Sequence, residues 1–175
     1  CEIALAHDDT LESAPVAGSR PQPGAAWRIN FSRVEKKGKV NWVWSPQVIW
    51  TPKQKRFVGQ VNMHLPDAWG YVVFADETGN LPTKMSMSAG SDSTAAARQA
   101  VMCIYYAVRH YKEEHGELPR SIEALRSLLP SAMPGKLKYA TTQGGGFTAS
   151  VELGDCRASV DHQRLLTTKF TGRRK

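Results

Sequence analysis

Trp27-Arg28-Ile29-Asn30-Phe31-Ser32-Arg33-Val34-Glu35, Trp42-Val43-Trp44-Ser45-Pro46-Gln47 and Asn62-Met63-His64-Leu65-Pro66-Asp67-Ala68-Trp69-Gly70-Tyr71-Val72-Val73-Phe74 decide the fold of the first half of this chain. Side chains alternate across a strand, so Trp27, Ile29 and Phe31 share one face while Arg28, Asn30 and Ser32 share the other. The alternation slips at Arg33 and Val34, which predicts a bulge or a strand end there. Lys36-Lys37-Gly38-Lys39 is a charged turn whose glycine tolerates positive φ. Val40–Trp44 is the next strand, with Trp42 and Trp44 on one face and Ser45-Pro46 ending it. Gly70–Phe74, apolar at both parities, predicts a central strand covered on both sides.

Working outward, Cys1-Glu2-Ile3-Ala4-Leu5-Ala6 alternates as a further strand. His7–Ala26, with its Pro21-Gln22-Pro23-Gly24 turn, is a surface loop. Val48–Gln60 is a basic loop or an extra hairpin. Strands and turns without an intervening helix pattern predict antiparallel all-β architecture over residues 1–76. A two-sheet sandwich usually has at least ~7 strands, more than this segment supplies. Either the rest of the sandwich lies upstream, or the second half of the chain covers the sheet.

Residues 77–92 are turn-rich and are expected to form a linker. A helix then begins near Ser93, capped by Asp92 or Ser93. Ala97, Val101, Ile104, Tyr105, Val108 and Tyr111 recur every three or four residues as one apolar stripe, and Gly116 and Pro119 stop the helix. Ser121 caps a shorter helix with Ile122, Leu125 and Leu129 on one side and Pro130 at its end. Strands are expected at 136–142, 147–153, 157–161 and 165–170, joined at Gly144-Gly145-Gly146 and Gly154-Asp155. The expected fold is therefore a partial antiparallel β-sandwich over 1–76, a linker over 77–92, and an α+β unit over 93–175 with a long helix on an antiparallel meander.

Arg28/Asn30, Trp44-Ser45-Pro46, Asn62-Met63-His64, Pro66-Asp67 and Trp69-Gly70 together resemble the closing pattern of carbohydrate-binding module family 9-like domains. The resemblance covers about residues 1–76 and departs at Val48–Gln60, where a shorter connection is expected. It implies a β-sandwich in an exported protein, extracellular or periplasmic, that binds a glycan or oligosaccharide without catalysis. It also implies that the chain starts inside such a domain, so that the missing N-terminal part of the same sandwich would be its partner. The helix–Gly–x–x–Pro–helix–sheet order of the second half, with Tyr105-Tyr106 and Gly144-Gly145-Gly146-Phe147, is similar to the globular part of type IV pilin-like and pseudopilin domains.

The residue chemistry suits sugars. Indole rings offer rigid apolar platforms for the C–H face of a pyranose, and Arg and Asn supply donors and acceptors for its hydroxyls. The candidate carbohydrate-binding residues are Trp42, Trp44, Arg28, Asn30, Trp69 and His64. For each there is a packing alternative: Trp42 and Trp44 as a cross-strand aromatic cluster, Arg28 and Asn30 as partners in a polar network, Trp69 and His64 as structural residues. Trp27 reads as core. Two further functions are weighed: a structural or protein-interaction module of an exported assembly without sugar binding, and an accessory part of a larger glycan-active enzyme. Met63-His64 contains both haem-ligand types, but neighbouring strand residues point to opposite faces.

The formal charge of +7 comes from 23 Lys and Arg against 16 Asp and Glu, scattered rather than gathered in a nucleic-acid-binding motif. No nucleic-acid partner is expected, and no run reaches the ~20 apolar residues of a membrane span. Cys1, Cys103 and Cys156 have no metal-ligand spacing, and Cys103 reads as a small hydrophobe within the helix. No cofactor is expected beyond a structural calcium ion, for which Asp8-Asp9 and Asp67 offer oxygens. Ser121, His110 and Glu113 are the only residues that suggest a triad, and cap and helix-surface roles account for each.

Overall fold

The computed structural model of the chain describes residues 21–62, 65–81 and 92–171. The expected strand over residues 1–6 lies outside them, as do Met63, His64 and Asp8-Asp9. The described elements run β1 (Ala26–Ile29), β2 (Ser32–Glu35), β3 (Val40–Val43), β4 (Gln47–Thr51), β5 (Arg56–Gln60), β6 (Gly70–Val73), α1 (Ala95–His115), β7 (Lys136–Thr141), β8 (Phe147–Leu153), β9 (Cys156–Asp161) and β10 (Leu166–Phe170). All described pairings between neighbouring strands of known register are antiparallel. The fold is mixed: several small sheets and one long helix.

Contacts divide the described residues into two compact units, one of 21–27 with 71–81, the other of 28–70 with 92–171. In the first unit, Trp27 meets Phe74 edge-on at 5.0 Å. Gly24 N–H donates to the Phe74 carbonyl (2.7 Å) and Phe74 N–H to that of Ala25 (3.0 Å). Among the described residues β6 pairs with β1 alone and is half-buried along its length, where its apolar run predicts a strand covered on both sides. Trp27 is likewise only half-buried.

In the second unit the chain breaks between Ile29 and Ser32, two residues before the slip in alternation. β2 and β3 form a separate ribbon. Phe31, in this break, is 36% exposed. At the charged turn, Lys39 rather than Gly38 takes the left-handed conformation, with φ 52°. Val48–Gln60 is a hairpin, β4–β5, with Trp50 directly opposite Phe57. Its base is closed by a side chain: Gln47 Nε2 donates to the Asn62 carbonyl (2.7 Å), and Asn62 N–H donates to Gln47 Oε1 (2.8 Å). The Gln47 amide thus imitates a backbone pair, which lets it sit 1% exposed without an unmet polar group.

Trp50 ties the hairpin to the core of the second unit. Its ring is 6% exposed in the core built on α1, and Nε1–H donates to the Leu128 carbonyl at 2.8 Å. Buried positions on α1 include Ala100, Met102, Cys103 and Ala107 besides the expected stripe, so well over half its circumference is covered. The helix packs on β8 and β9 and also on β4. Its start lies at Ala95, with the buried Asp92 carboxylate accepting from Thr94 N–H (2.9 Å) and pairing with Arg98 (2.6 Å). Gly116 ends it in the left-handed region (φ 76°).

The meander forms one four-stranded sheet in the order β10-β9-β8-β7. Phe147, Ala149 and Val151 alternate inward from β8, and Cys156, Ala158 and Val160 from β9. The shorter helix is a 3₁₀ segment, Glu123–Leu128, that buries Leu125. Cys103 is free and buried, and burial pushes its thiol up to about 12, as expected of an inert core cysteine.

Candidate functional site

The β2–β3 ribbon presents an aromatic face. Arg33 lies opposite Trp42 and Glu35 opposite Val40, and residues directly opposite in an antiparallel pair share a face. Trp44 N–H donates to the Phe31 carbonyl (2.8 Å), which extends the same pairing by one more rung. Phe31, Arg33 and Glu35 therefore line up with Trp44, Trp42 and Val40. Trp42 is 63% exposed and Trp44 54%. The two indoles share a face as their spacing predicts, and both are open to solvent.

The two rings differ in support. Trp44 is braced by Phe31, edge-on at 5.7 Å, and by Gly70, where a Cβ would stand 2.9 Å from the indole and 2.8 Å from the Ser45 side chain. Only glycine permits that approach, which accounts for Gly70 in the motif. Trp42 stands beside Arg33 and Glu35 around an open depression of about 460 Å³. Arg33 and Glu35 pair at 3.3 Å along the strand, and at this exposure the pair adds little to stability. The sequence reading missed both as neighbours of Trp42, because Arg33 sat on the wrong parity for an unbroken strand.

Arg28 and Asn30 do not reach this face. Arg28 donates to the Asp67 carbonyl (3.4 Å), and Asn30 Oδ1 accepts from Ser45 N–H (3.1 Å). Each of these bonds runs to the chain's own backbone. Asn30 Nδ2 and the Nε1 of half-buried Trp69 are shielded from solvent, with no partner among the described residues. His64 lies outside the described residues.

A second cluster joins Asp67 to the helix and meander. The Asp67 carboxylate accepts from the Arg164 guanidinium and from Tyr106 O–H (3.3 Å), and Arg164 also donates to the Tyr106 oxygen (2.8 Å). Asp67 is thus an ion-pair partner. Burial, then the Asp67 charge, pushes the Tyr106 phenol well above its ordinary value. Arg164 holds a left-handed backbone (φ 69°), unusual for a residue with a side chain.

The Ser121, His110 and Glu113 residues are not assembled for catalysis. His110 pairs with Glu114 (3.2 Å), Glu113 with Arg109 (3.8 Å), and Ser121 hydrogen-bonds Glu123. Among the described residues, no group of three or more His, Cys, Asp or Glu is placed to hold a metal ion. No described helix is long and apolar enough to cross a membrane.

Comparison with family models, with curated proteins and with solved structures returned no match in any of the three.

Proposed function

We propose that this chain is a non-catalytic glycan-binding protein of an exported system, and that the Trp42–Trp44 face of the β2–β3 ribbon is its sugar platform. The observation that carries the reading is two solvent-open indoles on one ribbon face beside a charged pair. Burying an indole is worth several kcal/mol, so leaving two exposed together has a cost in stability that a ligand would offset. Trp44, braced by Phe31 and Gly70, is a rigid stacking surface. Trp42 supplies a second ring, with Arg33 and Glu35 as hydroxyl partners. The family 9-like reading of residues 1–76 as part of a β-sandwich, and the pilin-like reading of 93–175, belong to this proposal. The described ribbons and the helix–glycine–meander order support them.

Titration of the chain against a panel of oligosaccharides tests it. Trp42→Ala should reduce binding about tenfold or more while circular dichroism and melting stay unchanged. Binding of no glycan, or binding indifferent to both Trp42→Ala and Trp44→Ala, would refute it.

A protein-interaction module is the second reading. Phe31 (36%) and Val40 (42%) are also exposed on the face that carries these rings, more apolar surface than a single sugar covers. Silence on the glycan panel, with one protein partner whose capture is lost in Trp42→Ala, would favour it.

A further inference from the structure

We infer that the cleft between the β4–β5 hairpin and α1 is a second binding site, independent of the ribbon face, for a singly charged ring acid of sugar-acid type. The cleft holds about 390 Å³, within the roughly 300–1,000 Å³ of small-molecule sites. Its helical wall carries Tyr105, Tyr106, Arg109 and Glu113, and the hairpin adds Thr51 and Lys53.

The charges select the ligand. Arg164 reaches the cleft already neutralised by Asp67. His110, also in the lining, is engaged by Glu114 (3.2 Å), which leaves Arg109 and Lys53 against Glu113, a net charge near +1 that suits one carboxylate and disfavours a dianion. Arg109 is loosely held, at 3.4 Å from the Tyr105 oxygen and 3.8 Å from Glu113, so its guanidinium keeps donors available for a planar carboxylate. Half-buried Ile49 and the uncovered part of Tyr106 supply apolar surface for a pyranose, and Thr51 and Gln60 supply hydroxyl partners. The Trp50–Leu128 hydrogen bond pins the hairpin to its place, so the cleft is pre-formed.

Titration of the full chain with glucuronate, followed by amide shifts of residues 105–113, provides the test. Glucuronate should saturate, with glucose and sulfate at least about tenfold weaker. Arg109→Gln and Lys53→Gln should each weaken glucuronate binding, whereas Glu113→Gln should preserve or tighten it. Both cations are exposed, so melting temperature should hold, and Lys53→Gln carries the test if Arg109→Gln does not fold. Trp42→Ala should leave this titration unchanged, which separates failure here from failure of the ribbon platform. Equal affinity for glucose or sulfate, or no effect of either cation's removal, would overturn the assignment.

Discussion

Replacing Trp50 with alanine should unfold far more than a hairpin. The indole is buried in the core shared with α1 and the meander, and its N–H is bonded to the Leu128 carbonyl at 2.8 Å. A buried Trp removes about 150–250 Å² from water, or roughly 4–6 kcal/mol at ~25 cal/mol per Å². A compact denatured chain lowers that figure, and an orphaned Leu128 carbonyl adds about 1 kcal/mol. The expected loss is therefore about 3–5 kcal/mol, in line with other Trp→Ala changes in cores. Urea unfolding followed by far-ultraviolet circular dichroism would measure it, since the helix signal comes from α1. Trp42→Ala, at an exposed position, is the control and should stay within about 0.5 kcal/mol. Trp50→Phe, which keeps most of the apolar area, should lose only about 1–2 kcal/mol. A Trp50→Ala protein whose helix melts as the parent does would refute the reasoning, because the hairpin would then be a passenger on an independent second half.

Asp67→Asn should cost about 2–3 kcal/mol, because it leaves the partly buried Arg164 guanidinium without its counter-charge. Chemical denaturation would check this, and a loss below about 0.5 kcal/mol would show the pair to be incidental. Glu152 is held below its ordinary 4.5 by its hydrogen bonds from Lys138 (3.1 Å) and Arg157. Its stabilising contribution is fully present above that value and is lost as pH falls through the lower folded value. Glu152→Gln should lower the neutral plateau slightly and flatten the acid side of the melting-temperature profile, so that it meets the parent curve well below pH 4.5. A parallel shift at all pH values would disprove that account.

The second half was legible because its signals are local. Three-and-four spacing from Ala97 to Tyr111, Gly116 as a stop and glycine turns at 144–146 and 154 each act within a few residues of themselves. The first half depends on which strand meets which, and alternation does not encode partners. Arg33 keeps the parity of Phe31, but alternation does not show that one strand ends at Ile29 and the next begins at Ser32, with Asn30 Oδ1 accepting from Ser45 N–H between them. Trp50 carried no mark distinguishing a loop indole from a core one; its role follows from a contact 78 positions away. For the candidate site, the shared face of Trp42 and Trp44 was readable from their spacing. The engagement of Arg28 with the Asp67 carbonyl was not, since nothing in a strand pattern says what lies across from it.

The Gln47–Asn62 clasp carries the β4–β5 ladder past its last main-chain rung, Gln47 opposite Gln60. The hairpin is therefore fastened at two points, by this amide at its foot and by the Trp50 indole in the interior. An arm tethered twice has little freedom to swing about either hold.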